Sequence, residues 1–180
     1  MKTIRIGLIG FGTIGAGVIK TLRQQQELLQ ARAGVSLEIV KIADLDITTP
    51  RGIDVDPSLL TTNANDILND PTIQIVIELI GGYEPAKKFI LHALRNGKHV
   101  VTANKALLAI HGQEIFETAM RHHVDVGFEA SVGGGIPLIR SLREGLIANN
   151  FSEIYGILNG TTNYILTEMT EKAESYGVVL

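Results

Sequence analysis

Ile4-Arg5-Ile6-Gly7-Leu8-Ile9-Gly10-Phe11-Gly12-Thr13-Ile14-Gly15 runs from an alternating apolar segment straight into Gly10-x-Gly12-x-x-Gly15. An amphipathic helical pattern follows at once, with Ile14, Val18, Ile19 and Leu22 on one face. Strand, glycine turn and helix in that order form the arrangement that receives a dinucleotide. Gly10 permits the tight turn, Gly12 lets a pyrophosphate approach the backbone, and Gly15 lets the helix pack closely on the strand. The helix N-terminus offers unpaired N–H groups and partial positive charge to the phosphates. The competing reading is a purely structural strand-to-helix turn.

Composition limits what surrounds this turn. The chain has 180 residues, enough for one full domain and part of another. An apolar content of 45% with 19% charged residues suits a compact α/β protein rather than a disordered one. A net charge of −3 advertises no basic face, so no nucleic-acid partner is expected. The absence of cysteine excludes a disulfide framework and a thiolate metal site, and it fits a reducing cytoplasm. Met1-Lys2-Thr3 leads directly into the first strand, which predicts neither a cleavable signal peptide nor a domain upstream. The apolar runs, such as 75–80 broken by Glu78, are too short to span a membrane.

Along the chain, the pattern predicts a long first helix from Thr13 to about Arg32 and a second strand over Leu37–Ala43, ending on Asp44. An acid at that position accepts hydrogen bonds from the adenosine ribose and repels a 2′-phosphate, which favours NAD over NADP. Lys41 and Arg51 lie close enough to soften that preference. Asp44 also stands farther from the last glycine than the usual about 20 residues, and an ordinary strand-end turn remains its alternative. Residues 47–62 read mostly as loop, and 63–69 as a short capped helix. Gln74–Ile80 is a nearly continuous apolar strand that ends in Gly81-Gly82, where the carboxyl edge of a sheet meets its ligand.

A helix beginning at Glu84-Pro85-Ala86 buries Phe89, Ile90, Ala93 and Leu94 and stops at Gly97; His99–Ala103 is the next strand, with Asn104-Lys105 at its carboxyl end. A helix pair over Ala106 to about His122 and a strand over Val124–Phe128 complete the alternation. Strands alternating with helices predict a Rossmann-type doubly wound parallel sheet over residues 1–130. Past Glu129 the pattern changes. Gly133-Gly134-Gly135 reads as a hinge into a helix over Leu138–Ala148, then a strand over Phe151–Leu158, then a helix to about Ser175. Residues 131–180 therefore read as the opening of a second, α+β domain, too small for a comfortable core of its own.

Lys105 is the first candidate for chemistry, because a cation at the carboxyl edge can hold a carboxylate, polarise a carbonyl or donate a proton. A surface lysine is the alternative. Glu78 is a carboxylate inside an apolar strand, read as a strand-end acid paired with a backbone donor. His122-His123 lack the spacing of a metal pair and read as a solvated helix end. No Gly-Lys-Ser/Thr follows the glycine turn, which argues against an ATP-binding loop.

Four segments, in order, resemble homoserine dehydrogenase: Gly10–Gly15, Val101-Thr-Ala-Asn-Lys-Ala-Leu-Leu108, Phe128-Glu-Ala-Ser-Val-Gly-Gly-Gly-Ile-Pro137 and Leu158-Asn-Gly-Thr-Thr-Asn-Tyr-Ile165. The resemblance covers the whole chain, and the last two segments are the most specific. It implies NAD(P)-dependent interconversion of aspartate 4-semialdehyde and homoserine, on the route to threonine, methionine and isoleucine. It implies that Phe11, Gly12, Thr13 and Ile14 meet the cofactor phosphates; Gly81 is a cofactor-side candidate by its place at the carboxyl edge of the sheet. It implies that Lys105 lies near nicotinamide and substrate, with Gly160 and Thr161 at that same end. Glu129, Val132, Gly134 and Ile136 are implied to surround a monovalent cation, usually sodium, three of them through backbone carbonyls. A homodimer or higher homo-oligomer, with no nucleic acid and no membrane, is implied as well.

Such enzymes are about twice this length or more, and their second catalytic lysine has no counterpart among residues 1–180. The expectation is that this chain resembles an amino-terminal portion with little or no turnover of its own. Phe151, Ile154, Ile157 and Leu158, deprived of sheet partners, are expected to drive self-association. Two competing readings stay open: another hydride-transfer enzyme of similar plan, which Asn159–Asn163 argues against, and a non-catalytic dinucleotide-binding module.

Overall fold

A computed structural model describes all 180 residues, which divide into two compact units, Met1–Ile139 and Arg140–Leu180. In the first unit, strands β1 (Thr3–Ile9), β2 (Ser36–Ala43), β3 (Leu60–Thr61), β4 (Ile75–Glu78), β5 (His99–Thr102) and β6 (Val126–Gly127) build one sheet. All pairings are parallel, and the order is β3-β2-β1-β4-β5-β6. The chain reverses its direction of progress between β1 and β4, so the crevice at their carboxyl ends is the place where such sheets bind ligands.

Side chains alternate across the strands and feed two cores. Leu8 and Ile77 join Ile6, Phe11, Ala16, Ile19 and Ile42 on the face covered by α1 (Thr13–Gln24). Ile9 and Val76 face the other way, into a cluster with Ile67, Leu68, Ile90, Leu94, Leu107 and Ile115. Those residues come from α3 (Asn65–Leu68), α4 (Ala86–Arg95) and α5 (Lys105–Arg121). Helices on both faces of a parallel sheet give the doubly wound architecture that the sequence predicts.

Several boundaries differ from the expectation. The first helix is two: α1 stops at Gln24, Gln25 leaves helical geometry, and α2 (Gln26–Ala33) runs on to a left-handed Gly34 at its C-cap. No residue of α2 is buried, so packing gives no reason for the polar run at 24–27 to continue α1. Conversely, the expected helix pair over 106–122 is the single helix α5. Gly112 is buried within it and does not interrupt it, because Leu107, Ile115 and Ala119 keep one face on the core. The 47–62 segment, read as loop, contributes β3 and a 3-10 turn over Pro57–Leu59.

In the second unit, α6 (Leu138–Arg140) straddles the boundary between the units and passes into a π-turn over Ser141–Gly145, shorter than the helix expected to Ala148. The unit continues to α7 (Gly160–Lys172) and α8 (Tyr176–Val179). The strand expected over Phe151–Leu158 does not form. Its apolar content is real, but a strand exists only through hydrogen bonds to a neighbour, and none pairs with this segment. Phe151, Ile154, Tyr155, Ile157 and Leu158 are all exposed.

Candidate active site

The crevice between the ends of β1 and β4 is a cleft of about 490 Å³, bordered by Gly10, Gly12, Asp44, Leu45, Ile80 and Gly81 among others. Gly10 turns the chain at φ +105°, a left-handed geometry that a side chain rarely adopts, and a Cβ there would sit 2.7 Å from the Leu79 carbonyl carbon. A Cβ on Gly15 would lie 2.1 Å from the Gly10 carbonyl oxygen, so α1 approaches the turn as closely as backbone allows. A Cβ on Gly12 would meet nothing within 4 Å; the space it leaves opens toward the cleft.

Gly12 is also the N-cap of α1 and supplies no capping side chain. Thr13 and Ile14, the first residues of α1, are exposed, and no side chain caps the helix start, the arrangement in which its first amides can meet an anion. Phe11 behaves differently. Its ring is buried in the α1-side core, and its N–H donates to Asp44 Oδ2 at 2.5 Å. Asp44 Oδ1 accepts the Asp46 N–H at 2.9 Å, so the carboxylate fastens both the glycine turn and the loop after β2 while bordering the cleft.

Beyond Asp44 the loop is organised by Asp46. Its carboxylate is held well below the usual range by hydrogen bonds from Thr49 and then Thr48. Arg51 lies 3.1 Å from the same carboxylate and also donates to the Asp46 carbonyl. Lys41 donates to the Ser58 carbonyl at 3.2 Å. Both cations that could read a 2′-phosphate are therefore engaged within the protein.

On the far side of the cleft, Glu78 closes β4 with no exposed surface. Its Oε1 accepts the N–H groups of Ile80 and Gly81 at 2.8 and 3.2 Å, which is the backbone pairing the sequence predicts. Lys105 is exposed at the first position of α5, directly after β5. Asn104 caps that helix by accepting the Leu107 N–H, and its Nδ2 donates to the Gly82 carbonyl at 2.6 Å. The loop after β4 and the start of α5 are thereby one structure. A cation at a helix N-terminus is opposed by the macrodipole, so the placement of Lys105 serves something other than helix stability.

Ser131 Oγ donates to the Thr102 carbonyl at 3.0 Å and brings the 129–131 turn under the same edge. Glu129 Oε1 accepts the Ile139 N–H at 3.0 Å. Two consecutive 3-10 turns, Glu129–Ser131 and Gly133–Gly135, curl the segment, with Gly134 at φ 58°. The four residues expected around a cation, Glu129, Val132, Gly134 and Ile136, lie along this curled segment, and the Ile136 carbonyl accepts the Leu138 N–H at 2.8 Å. No three His, Cys, Asp or Glu side chains converge anywhere in the chain. His122 and His123 are exposed at the end of α5. In the second unit, Gly160 and Thr161 open α7 behind Asn159, whose side chain accepts the Thr162 N–H at 2.7 Å. No helix is long and apolar enough to cross a membrane.

Residues 10–129 match the family described as "Homoserine dehydrogenase, NAD binding domain", and residues 137–180 match "Homoserine dehydrogenase". The homoserine dehydrogenase of Bacillus subtilis is 44% identical over the whole chain, which covers 42% of that protein. That of Pseudomonas aeruginosa is 46% identical, again over the whole chain and 41% of its own length. A crystal structure of a homoserine dehydrogenase from Thiobacillus denitrificans superposes with a TM-score of 0.89 at 47% identity, covering all of this chain and 42% of that one. The chain thus spans about two-fifths of the length of the relatives it matches.

Proposed function

The chain belongs to the homoserine dehydrogenase family, and from that premise we propose that it carries the dinucleotide site of an NAD(P)-dependent enzyme interconverting aspartate 4-semialdehyde and homoserine. The reaction serves the route to threonine, methionine and isoleucine. The observation that carries this reading is the cleft itself: a glycine turn with an open approach at Gly12 forms one wall, and the opposite wall is hydrogen-bonded to the helix that begins with Lys105.

When bound, the nicotinamide supplies or accepts the hydride. The protein's part is to bind and orient. Gly10, Phe11, Gly12, Thr13, Ile14 and Gly15 form the cradle for the pyrophosphate, Asp44 receives the adenosine ribose, and Gly81 lines the path toward the nicotinamide. Lys105 Nζ stabilises the oxygen of the substrate carbonyl as negative charge develops there, by electrostatics and proton handling. Gly160 and Thr161 contribute at the substrate and nicotinamide end. Glu129, with the backbone carbonyls of Val132, Gly134 and Ile136, holds a monovalent cation, sodium by preference, since oxygen donors suit a hard cation.

NAD is the preferred cofactor, because Asp44 and Asp46 put negative charge where a 2′-phosphate would lie and Asp46 already occupies Arg51. Residues 1–130 act as the dinucleotide-binding domain, and 131–180 open the substrate and dimerisation domain. The exposed apolar side chains at 151–158 mark the homo-oligomeric contact. The substrate is a small molecule, the setting cytoplasmic. Residues 1–180 alone turn over little substrate, since the second catalytic lysine that the family likeness implies has no counterpart among them.

Fluorescence titration with NADH and, separately, NADPH tests the reading. Saturable binding with NADH tighter is expected. Tighter NADPH would overturn the cofactor preference alone, and no binding of either would overturn the dinucleotide site in this chain.

A further inference from the structure

Glu78 takes no part in the chemistry just described, yet it is the charged side chain most completely withdrawn from solvent. It sits opposite Thr102 in the β4–β5 register, and its Oε2 accepts the Thr102 hydroxyl at 2.7 Å. Its Oε1 holds Ile80 and Gly81. Three donors and no acceptor therefore converge on it, the pattern that an acceptor-only carboxylate satisfies. Thr102 Oγ1 in turn accepts the Asn104 N–H at 3.0 Å, and Asn104 reaches back to the Gly82 carbonyl. The path closes on itself: four hydrogen bonds join Glu78, Thr102, Asn104, Gly82 and Gly81 into a ring completed by the Gly81–Gly82 peptide bond. One side of the ring is the wall of the cleft, and the other is the first turn of α5.

A buried carboxylate is costly unless every lone pair is used, and an apolar residue would fill a strand end more cheaply. The return here is geometric. We propose that Glu78 is a positioning residue that locks the Ile80–Gly82 wall of the cleft to the start of α5, so that a dinucleotide in the cleft fixes the placement of Lys105. The proposal rests on the dinucleotide reading above. Lys105 itself has no contact with Glu78; the coupling runs through Thr102 and Asn104.

The test uses the full 180-residue chain, with NADH titrated by fluorescence and by amide NMR. Thr102→Val keeps the shape of the side chain and removes the hydroxyl. Glu78→Gln keeps an acceptor for Ile80 and Gly81 but offers Thr102 a donor instead. Thr118→Val is the control: Thr118 is also buried, and its hydroxyl serves only the Glu114 carbonyl within α5. In the wild type, NADH is expected to shift the amides of Gly12, Thr13 and Lys105 together. In Thr102→Val and Glu78→Gln, affinity should fall about three- to ten-fold, the worth of one hydrogen bond. The Lys105 response should vanish while those of Gly12 and Thr13 persist.

Thr118→Val should titrate as the wild type does. Undiminished Lys105 response in Thr102→Val would overturn the proposal, as would losses of stability in Thr102→Val and Thr118→Val with no difference in NADH response. If Glu78→Gln does not fold, Thr102→Val decides. A wild type that binds neither dinucleotide overturns the functional reading and the positioning role with it, whereas normal wild-type binding with unaffected variants overturns the positioning role alone.

Discussion

The Asp44 carboxylate takes the Phe11 N–H at 2.5 Å and so ties the end of β2 to the middle of the glycine turn. The bond spans adjacent strands β1 and β2 at their carboxyl ends, where Ile9 pairs with Ala43. It orients the turn before any ligand arrives. Asp44→Ala removes it together with the bond to Asp46, and a hydrogen bond to a charged group is worth about 1.5–3 kcal/mol. NADH affinity should fall by about ten-fold or more on that scale, with a modest drop in Tm. Asp44→Asn, which retains one acceptor, should lie between. An Asp44→Ala protein that binds NADH as tightly as the wild type would separate Asp44 from the cofactor.

Gly12 and Gly15 should respond in opposite ways to the same change. Gly15→Ala forces a methyl group to within 2.1 Å of a backbone oxygen that has no freedom to retreat, so the turn or the helix must move. Overpacking of this kind costs about 1–3 kcal/mol or more, visible as a lowered denaturation midpoint. Gly12→Ala meets open space and has an ordinary φ of −76°, so the fold should be untouched. Its methyl group occupies the approach to the turn, and NADH binding should weaken sharply. Equal losses of stability in the two variants would contradict this assignment of tasks.

How far the sequence reaches depends on the distance over which each feature is decided. The glycine turn, β4 and α4 are settled within about ten residues by periodicity and punctuation, and they appear where the pattern puts them. That Glu78 pairs with backbone N–H groups was also legible, since those groups lie two and three residues on. Its bond to Thr102, 24 positions away, is set by strand register and leaves no local mark. The same holds for Phe11 and Asp44. Residues 151–158 fail for a different reason: their apolar content suits a strand, but a strand is a property of two segments. The oxygen donors proposed at 132–136 are backbone atoms, which residue identity does not report.

Lys105 begins α5 against the helix macrodipole and is exposed, so Lys105→Ala should leave Tm unchanged or slightly raised. In an enzyme of the relatives' full length carrying these residues, the same substitution should lower turnover by orders of magnitude. NADH-dependent reduction of aspartate 4-semialdehyde is the assay. Unchanged turnover would remove Lys105 from the site.

Lys98 shows the structural use of a buried charge. It is 3% exposed, and its Nζ donates to the carbonyls of Asp70 and Ile73, fastening the turn between α3 and β4. Lys98→Met keeps the length and removes both bonds; the Asp70 carbonyl keeps the Ile73 N–H while the Ile73 carbonyl loses this donor, a loss of about 1–3 kcal/mol on the scale of an unsatisfied group. Burial pushes the Lys98 ammonium below its ordinary 10.5, with the Asp70 carboxylate opposing. The unfolded chain therefore binds more protons between the folded value and 10.5, and this group's contribution to stability rises with pH across that window. Urea denaturation from neutral pH to pH 10.5 should show the rise in the wild type relative to Lys98→Met.

Asp46 behaves in the opposite sense and reaches the cofactor preference. Hydrogen bonds from Thr49 and Thr48 hold its carboxyl below the ordinary 3.8. Its contribution to stability is thus fully present above pH 3.8 and is lost as pH falls toward the folded value, because the unfolded chain takes up the proton first. Denaturation midpoints should decline over that window more steeply in the wild type than in Asp46→Asn. The same carboxylate engages Arg51 at 3.1 Å, beside the loop that follows Asp44. Removing it with Asp46→Ala leaves the Arg51 guanidinium held by the Asp46 backbone carbonyl alone, releases its ion pair for a phosphate that suits its fork, and deletes a repelling charge. NADPH affinity should therefore rise relative to NADH, and Asp46→Ala/Arg51→Ala should lose the gain. If the ratio of the two affinities is the same in the wild type and Asp46→Ala, the Asp46–Arg51 pair does not govern cofactor choice, and the preference for NAD rests on Asp44 alone.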